Sequence, residues 1–212
     1  MANEGEPNTY NDFGSETNGL SIDPEGSITI IDLATGVATP TVATATFTAF
    51  NNVPLDSSIR IFGPNATVAQ DLEPESIAVS ADSTTAYVTL QENNAMAVVD
   101  IASATVTQLV GLGFKDHSQP GFGLDASDQD GANNIANWPL WGVYMPDEVA
   151  AYQYKGQTFL VMANEGDVRD YPGYAEAVRV STLNLDTNVF PNAAELKKTN
   201  NLGRLKIGRA HV

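Results

Sequence analysis

Three carboxylates recur at matching places along this chain. Glu4, Glu92 and Glu165 each stand beside a polar amide, Asn3, Gln91 and Asn164, where an apolar stretch gives out. Oxygen ligands of this kind suit Ca²⁺ or Mg²⁺. Carboxylates brought together would repel one another unless a cation offset them. The alternative is that these side chains cap turns or bind neighbouring backbone. A second group is Asp125, Asp128 and Asp130, within Asp125-Ala126-Ser127-Asp128-Gln129-Asp130-Gly131. Asp128, Asp130 and Gly131 fall as in the later part of a D-x-D-x-D-G calcium loop. Ala126 occupies the first ligand position and Asn137 the last, so this is no EF-hand. A plain Asp/Gly turn explains it equally well.

Lys115-Asp116-His117-Ser118 carries a base, an acid and a hydroxyl. That combination could do acid–base or nucleophilic work. Side chains adjacent in sequence diverge, however, which favours a polar loop. Arg169, beside Asp167 and Asp170, could meet a phosphate or a neighbouring carboxylate. Lys115, Asp116, His117 and Arg169 are thus the ligand-binding candidates. Glu4, Glu92, Glu165, Asp125, Asp128 and Asp130 are the metal candidates. Glu73 and Glu75, flanking Pro74, read as turn carboxylates beside a strand start. There is no G-x-S-x-G elbow, no H-E-x-x-H and no phosphate loop, and 2 histidines are too few for zinc.

The elements that must position these residues are strands. The pentapeptide at residues 1–5, Met-Ala-Asn-Glu-Gly, returns unchanged at 162–166. Around it a longer unit repeats: an acidic turn, a strand, a polar hairpin, a second strand and an Asn/Glu pair. Residues 74–93 are one copy and 146–165 another. A third register joins 26–33, 94–101 and 176–183, each following such a strand end. Repeated strand–hairpin–strand units mark a propeller or solenoid. β-Branched and alternating residues predict strands at 27–33, 42–50, 76–80, 85–90, 95–101, 105–110, 148–154, 158–162 and 177–185. Residues 8–22 read as a loop, 111–145 as a long irregular excursion with aromatics, and only 193–198 as helical. The predicted fold is all-β: a partial β-propeller of about three blades with long inserted loops.

Composition narrows the partners. There are 26 acidic against 10 basic residues, a net charge of −16. Such a surface repels nucleic acid and anionic membrane and attracts cations. The absence of cysteine removes disulfides and thiolate chemistry. No stretch approaches the roughly 20 apolar residues of a membrane span. An exposed patch of Phe122, Trp138 and Trp141 would favour ligand binding.

Both ends carry expectations. In the second copy of the pentapeptide, Met162 closes an apolar strand, so Met1 reads as an internal position of a longer protein. Residues 206–212, Lys-Ile-Gly-Arg-Ala-His-Val, match a translated reading frame of a sequencing adapter. They are expected to be a scar without packing or regular structure, leaving residues 1–205 as a piece of one propeller domain.

Several further motifs occur in a fixed order: Asn3-Glu4-Gly5-Glu6-Pro7, Asp23-Pro24-Glu25-Gly26-Ser27, Phe62-Gly63-Pro64, Gln70-Asp71-Leu72-Glu73-Pro74-Glu75, Leu90-Gln91-Glu92-Asn93-Asn94-Ala95, Gly113-Phe114-Lys115-Asp116-His117-Ser118, Leu124-Asp125-Ala126-Ser127-Asp128, Tyr144-Met145-Pro146-Asp147 and Ala163-Asn164-Glu165-Gly166-Asp167. Together they closely resemble the choice-of-anchor I family, large extracellular β-propeller proteins of bacteria. Animal relatives are mesenchyme-specific cell surface glycoproteins, and many bacterial members carry the label alkaline phosphatase. The resemblance implies secretion and surface attachment through a C-terminal anchor. It carries over no catalytic residues. The expected function is an extracellular or cell-surface binding and adhesion module stabilised by Ca²⁺, its partners being cations and an extracellular ligand. The alternative is a metal-dependent phosphoesterase acting on a small phosphoester. Clustered carboxylates with Lys or Arg around them would favour the enzyme.

Overall fold

The structure is a computed structural model, and it describes residues 1–7, 23–171 and 173–208. It is all-β, with only short helical turns among the described residues. The expected loop at 8–22 lies outside those residues.

Strands β1 (Ala2–Asn3), β2 (Ser27–Asp32) and β3 (Thr41–Thr46) form an antiparallel sheet in sequence order. Strands β4 (Pro74–Val79), β5 (Thr85–Leu90), β6 (Ala95–Asp100) and β7 (Thr105–Gly111) form a four-stranded antiparallel meander. Four short strands follow: β8 (Lys115–Asp116), β9 (Leu124–Asp125), β10 (Ile135–Ala136) and β11 (Trp141–Gly142). A long hairpin, β12 (Pro146–Tyr154) and β13 (Gln157–Asn164), comes next. Short strands β14 (Asp170–Tyr171), β15 (Tyr174–Ala175), β16 (Val178–Arg179) and β17 (Lys206–Ile207) complete the count.

The chain divides into two compact units. The first holds β1 to β7 and the β12–β13 hairpin. Its core gathers Ile28, Phe47, Leu72, Val88, Leu90 and Val99, all buried. Ile28, Val88, Leu90 and Val99 are inward residues of their strands, whereas Phe47 enters from the 3₁₀ turn after β3 and Leu72 from the end of the helical turn at Val68–Asp71. Asx-type turns close the hairpins. Asp82 Oδ1 accepts from Ser80 Oγ at 2.6 Å, with Ser83 at φ 61°. Asp100 Oδ1 accepts from the Ser103 amide and hydroxyl, each at 2.7 Å, with Ala104 at φ 49°. A short side chain that binds nearby backbone makes the sharp reversal local.

The second unit, mostly residues 114–142 and 174–208, packs Ala126, Val180, Leu196 and Leu202 together with Trp138 and Phe190. Within it β8 pairs with β11, β9 with β10, and β16 with β17. The stretch expected to be irregular is thus tied by two-residue ladders.

Three expectations need correction. The strand expected over 177–185 is confined to Val178–Arg179; Val180–Thr182 turns into a 3₁₀ helix. Val180 donates its amide to Leu205 O at 3.0 Å, and its side chain enters the second core, which bends the chain away from extension. The strand expected over 42–50 stops at Thr46 and gives way to a 3₁₀ turn at Thr48–Phe50. Lys206 and Ile207 pair with Arg179 and Val178, so these two residues do have regular structure. One helical turn, Val68–Asp71, went unforeseen. Its capping box, Thr67 with Gln70, is written in the sequence as T-x-x-Q.

Candidate functional site: a carboxylate cluster at the strand ends

The identical pentapeptides occupy matching places in the first unit. β1 ends at Asn3, Glu4 follows, and Gly5 turns at φ 75°. β13 ends at Asn164, Glu165 follows, and Gly166 turns at φ 85°. A left-handed residue two positions past the strand end demands glycine in both copies. The middle copy ends its strand at Leu90, followed by Gln91 and Glu92, and turns at Asn94, φ 51°.

The acidic residues at the strand starts are equivalent as well. The register slips between Pro74 and Ile77 on β4, and between Pro146 and Glu148 on β12. Glu75 and Asp147 sit within those two irregularities. A bulge re-aims a side chain out of the normal alternation. The two bulged strands are fastened to each other and to β5. Ser76 N donates to Thr89 Oγ1 at 3.0 Å, Thr89 Oγ1 donates to Asp147 O at 3.1 Å, and Val149 N donates to Ser76 Oγ at 3.3 Å.

This fastening gathers carboxylates around Glu75. Burial pushes the Glu75 carboxyl up from 4.5 to about 8, with further contributions from Glu92, Glu4, Asp147 and Asp167 in that order. Each of these neighbours comes from a strand end or a bulge of one repeat copy or another. Glu75 Oε2 is buried with no hydrogen-bond partner. The Glu4 carboxyl is also raised, first by burial and then by Glu6. Gln91 Nε2 donates to Glu165 Oε2 at 3.2 Å, so amide and carboxylate from two copies meet. Glu92 is buried, whereas Glu4 and Glu165 are exposed.

The platform beneath is rigid. Asn93 is fully buried; its Nδ2 donates to Arg60 O and Asp71 O, each at 2.8 Å, and its Oδ1 accepts from Glu73 N at 3.2 Å. Asp71, also fully buried, accepts from the Phe62 and Gly63 amides at 3.0 and 2.6 Å. Asp71 therefore organises a loop. Glu75 does more than that: it is the centre of the cluster. Its clue in the sequence was the Pro-acidic pair repeated at Pro146-Asp147.

The remaining candidates are dispersed in the second unit. Asp125 lies on β9 opposite Ile135. Asp128 is held by Arg204 through two bonds of 2.9 and 3.0 Å, which lower its pKa. Asp130 Oδ1 accepts from Ala132 N at 3.1 Å. Asp128 and Asp130 thus serve separate partners, Arg204 and the Ala132 amide. Among the described residues, no group of three or more His, Cys, Asp or Glu side chains stands close enough to hold a metal ion.

Nor does the Lys115–Ser118 segment form a nucleophile–base pair. Ser118 Oγ donates to Asp116 Oδ1 at 2.6 Å, and Gln119 Nε2 to Asp116 Oδ2 at 2.9 Å, which hold the Asp116 carboxyl below its ordinary value. The His117 ring turns elsewhere. Its Nδ1 lies 2.6 Å from Phe122 O, and its Nε2 edge rests on Gly142, where a Cβ would come within 2.7 Å. Lys115 Nζ lies 5.8 Å from the Phe122 ring centroid. Arg169 is 1% exposed; its carbonyl accepts from the Glu176 amide at 2.9 Å, and its own amide donates to the buried Glu176 Oε2 at 3.3 Å. Of the expected aromatic patch, Trp138 packs on the second core and donates Nε1–H to Leu124 O at 3.1 Å. Trp141 is 68% exposed and stacks on Phe114 at 5.8 Å.

A family model, the choice-of-anchor I domain, matches residues 1–212, and the chain therefore belongs to that family. No curated protein and no solved structure matches it. The family name denotes surface-anchored proteins. No helix among the described residues is long and apolar enough to cross a membrane.

Proposed function

We propose that this family member is part of an extracellular, surface-anchored β-propeller that binds a ligand without chemistry of its own, and that Ca²⁺ stabilises it through the carboxylates around Glu75. The sheets of the first unit support the propeller reading. β4 to β7 make a four-stranded meander, the form of one blade. By the repeat, β1 to β3 correspond to the last three strands of a blade, and β12–β13 to the first two.

The observation that carries the calcium reading is the convergence of equivalent repeat positions on one half-buried carboxyl. Glu75, Glu92, Glu4 and Asp147 offer only oxygen, the donor set Ca²⁺ prefers. They do not stand at ligation distance, so an ion would have to draw the exposed Glu4 inward. A bound cation would offset repulsion that otherwise costs stability. Binding to the folded state alone adds about 2.7 kcal/mol at a hundredfold excess over Kd.

The test is the melting temperature of the protein in chelator and in millimolar CaCl₂, with phosphate release assayed in the same samples. Calcium should raise the midpoint, and Glu75→Gln should reduce the rise. An unchanged midpoint removes the calcium reading. Calcium-dependent phosphate release would replace the binding module with the metal-dependent phosphoesterase.

A further inference from the structure

Trp141 and Phe114 are large aromatic side chains left 68% and 40% exposed. Water solvates such surface poorly, and an exposed apolar patch commonly marks a binding site. Both rings stand on one face of the β8–β11 ladder. Trp141 pairs with Asp116, and Gly142 with Lys115. The period of two then puts Asp116 and Phe114 on the face of Trp141. The other face belongs to Lys115, which reaches the Phe122 ring, and to His117, whose Nε2 rests on Gly142.

The indole is held in place. Phe114 stacks on it, with ring centroids 5.8 Å apart and planes within 19°. Asp116 beside it accepts from Ser118 Oγ at 2.6 Å and from Gln119 Nε2 at 2.9 Å. The Trp141 indole donates to the same carboxylate as a smaller contribution. An aromatic surface fixed in advance loses little freedom when a ligand arrives.

Shape and charge select the ligand. One open, flat indole suits a molecule with one flat apolar face, and the electron-rich ring attracts C–H hydrogens or cations. Nucleic-acid bases stack in this way, but their phosphates are repelled by a chain of −16. A quaternary ammonium is held by a cage of rings, and two near-parallel rings make no cage. A sugar ring fits: it presents C–H groups on its face and hydroxyls around its rim. Ser118 and Gln119, both exposed, put polar atoms beside the shelf. We infer that Trp141, backed by Phe114, takes the C–H face of a neutral sugar ring of a glycan, with Gln119 meeting a ring hydroxyl. This names a ligand class for the binding module and rests on that reading, yet the two can fail separately.

Isothermal titration of the 212-residue chain with cellohexaose, sorbitol and tetramethylammonium tests it. Cellohexaose should bind saturably. Sorbitol has the hydroxyls without the ring, and tetramethylammonium the charge without the hydroxyls, so both should bind at least about tenfold more weakly. Trp141→Ala should weaken cellohexaose roughly tenfold or more, whereas Trp141→Phe keeps it within a few-fold. Tyr154→Ala, an exposed aromatic on β12, should leave it unchanged. Should Trp141→Ala fail to fold, Phe114→Ala decides, with a loss of a few-fold expected. The proposal is overturned by the absence of saturable cellohexaose binding, by equal binding of either comparator, by unchanged affinity in the folded Trp141 or Phe114 variant, or by an equal loss in Tyr154→Ala. Such a failure without phosphate release by the protein leaves the binding-module reading standing.

Discussion

Replacing Glu75 by Gln should make the protein more stable at alkaline pH and leave it nearly unchanged in acid. The folded-state pKa of Glu75 is raised from 4.5 to about 8, chiefly by burial and then by Glu92, Glu4, Asp147 and Asp167. The native state therefore keeps a proton that the unfolded chain releases above 4.5. Stability from this group is complete below pH 4.5 and is lost as pH rises to about 8. At 1.36 kcal/mol per pKa unit, the ceiling is roughly 5 kcal/mol. Glu75 is only half-buried, and solvent screening brings the expected loss down to about 1–2 kcal/mol. In a chain of this length that is a shift of roughly 2–8 °C in midpoint. The assay is urea unfolding of wild type and Glu75→Gln at pH 4 and pH 9. Taking the difference between the two proteins cancels other titrating groups. Gln, isosteric and neutral, should gain the stated amount at pH 9 and little at pH 4. Equal stability of the two proteins at pH 9, or a variant weaker there than wild type, would refute the account of a crowded carboxyl.

Two further changes probe the platform. Asn93→Ala should cost about 2–4 kcal/mol in urea unfolding, because it removes three hydrogen bonds of a fully buried side chain, to the Arg60 and Asp71 carbonyls and from the Glu73 amide. Gly5→Ala should destabilise more than Gly166→Ala in a thermal melt. Both turn at positive φ, but a Cβ at Gly5 would lie 2.7 Å from Pro24 O, whereas at Gly166 nothing stands within 4 Å. Equal midpoints for the two variants would count against the close approach of the first strand end to residues 24–26.

Much of the first unit is legible from local pattern. The alternation of 85–90 and 95–101 and the Asp-Ser turns between strands act over a few residues, and β5 and β6 fall where they were expected. The repeated pentapeptide correctly placed two strand ends, at Asn3 and Asn164. Failures came where distant partners decide. Asp128 looked like a calcium ligand from its neighbours, but its partner is Arg204, 76 positions away. Residues 177–185 are β-branched enough for a strand, yet Val180 and Ser181 give their amides to Leu205 and Gly203 and the segment turns.

Glu75 shows how a repeat can hide a site as well as reveal one. Alternation alone cannot tell where a side chain points once the register slips. The slip after Pro74 moves Glu75 among acidic residues of other repeat copies, and the slip after Pro146 does the same for Asp147. Repetition of a bulge, and not of a motif, is therefore what concentrates charge at this end of the sheets. An arrangement that raises one carboxyl toward neutral pH loses stability whenever the cluster ionises. A repeat architecture retains such a cluster at no loss only if something positive offsets it. The charged groups that raise the Glu75 carboxyl beyond the effect of burial are all carboxylates, and an offsetting cation would come from solution. If chelator and calcium leave the Glu75→Gln difference at pH 9 unchanged, the cluster is no ion site.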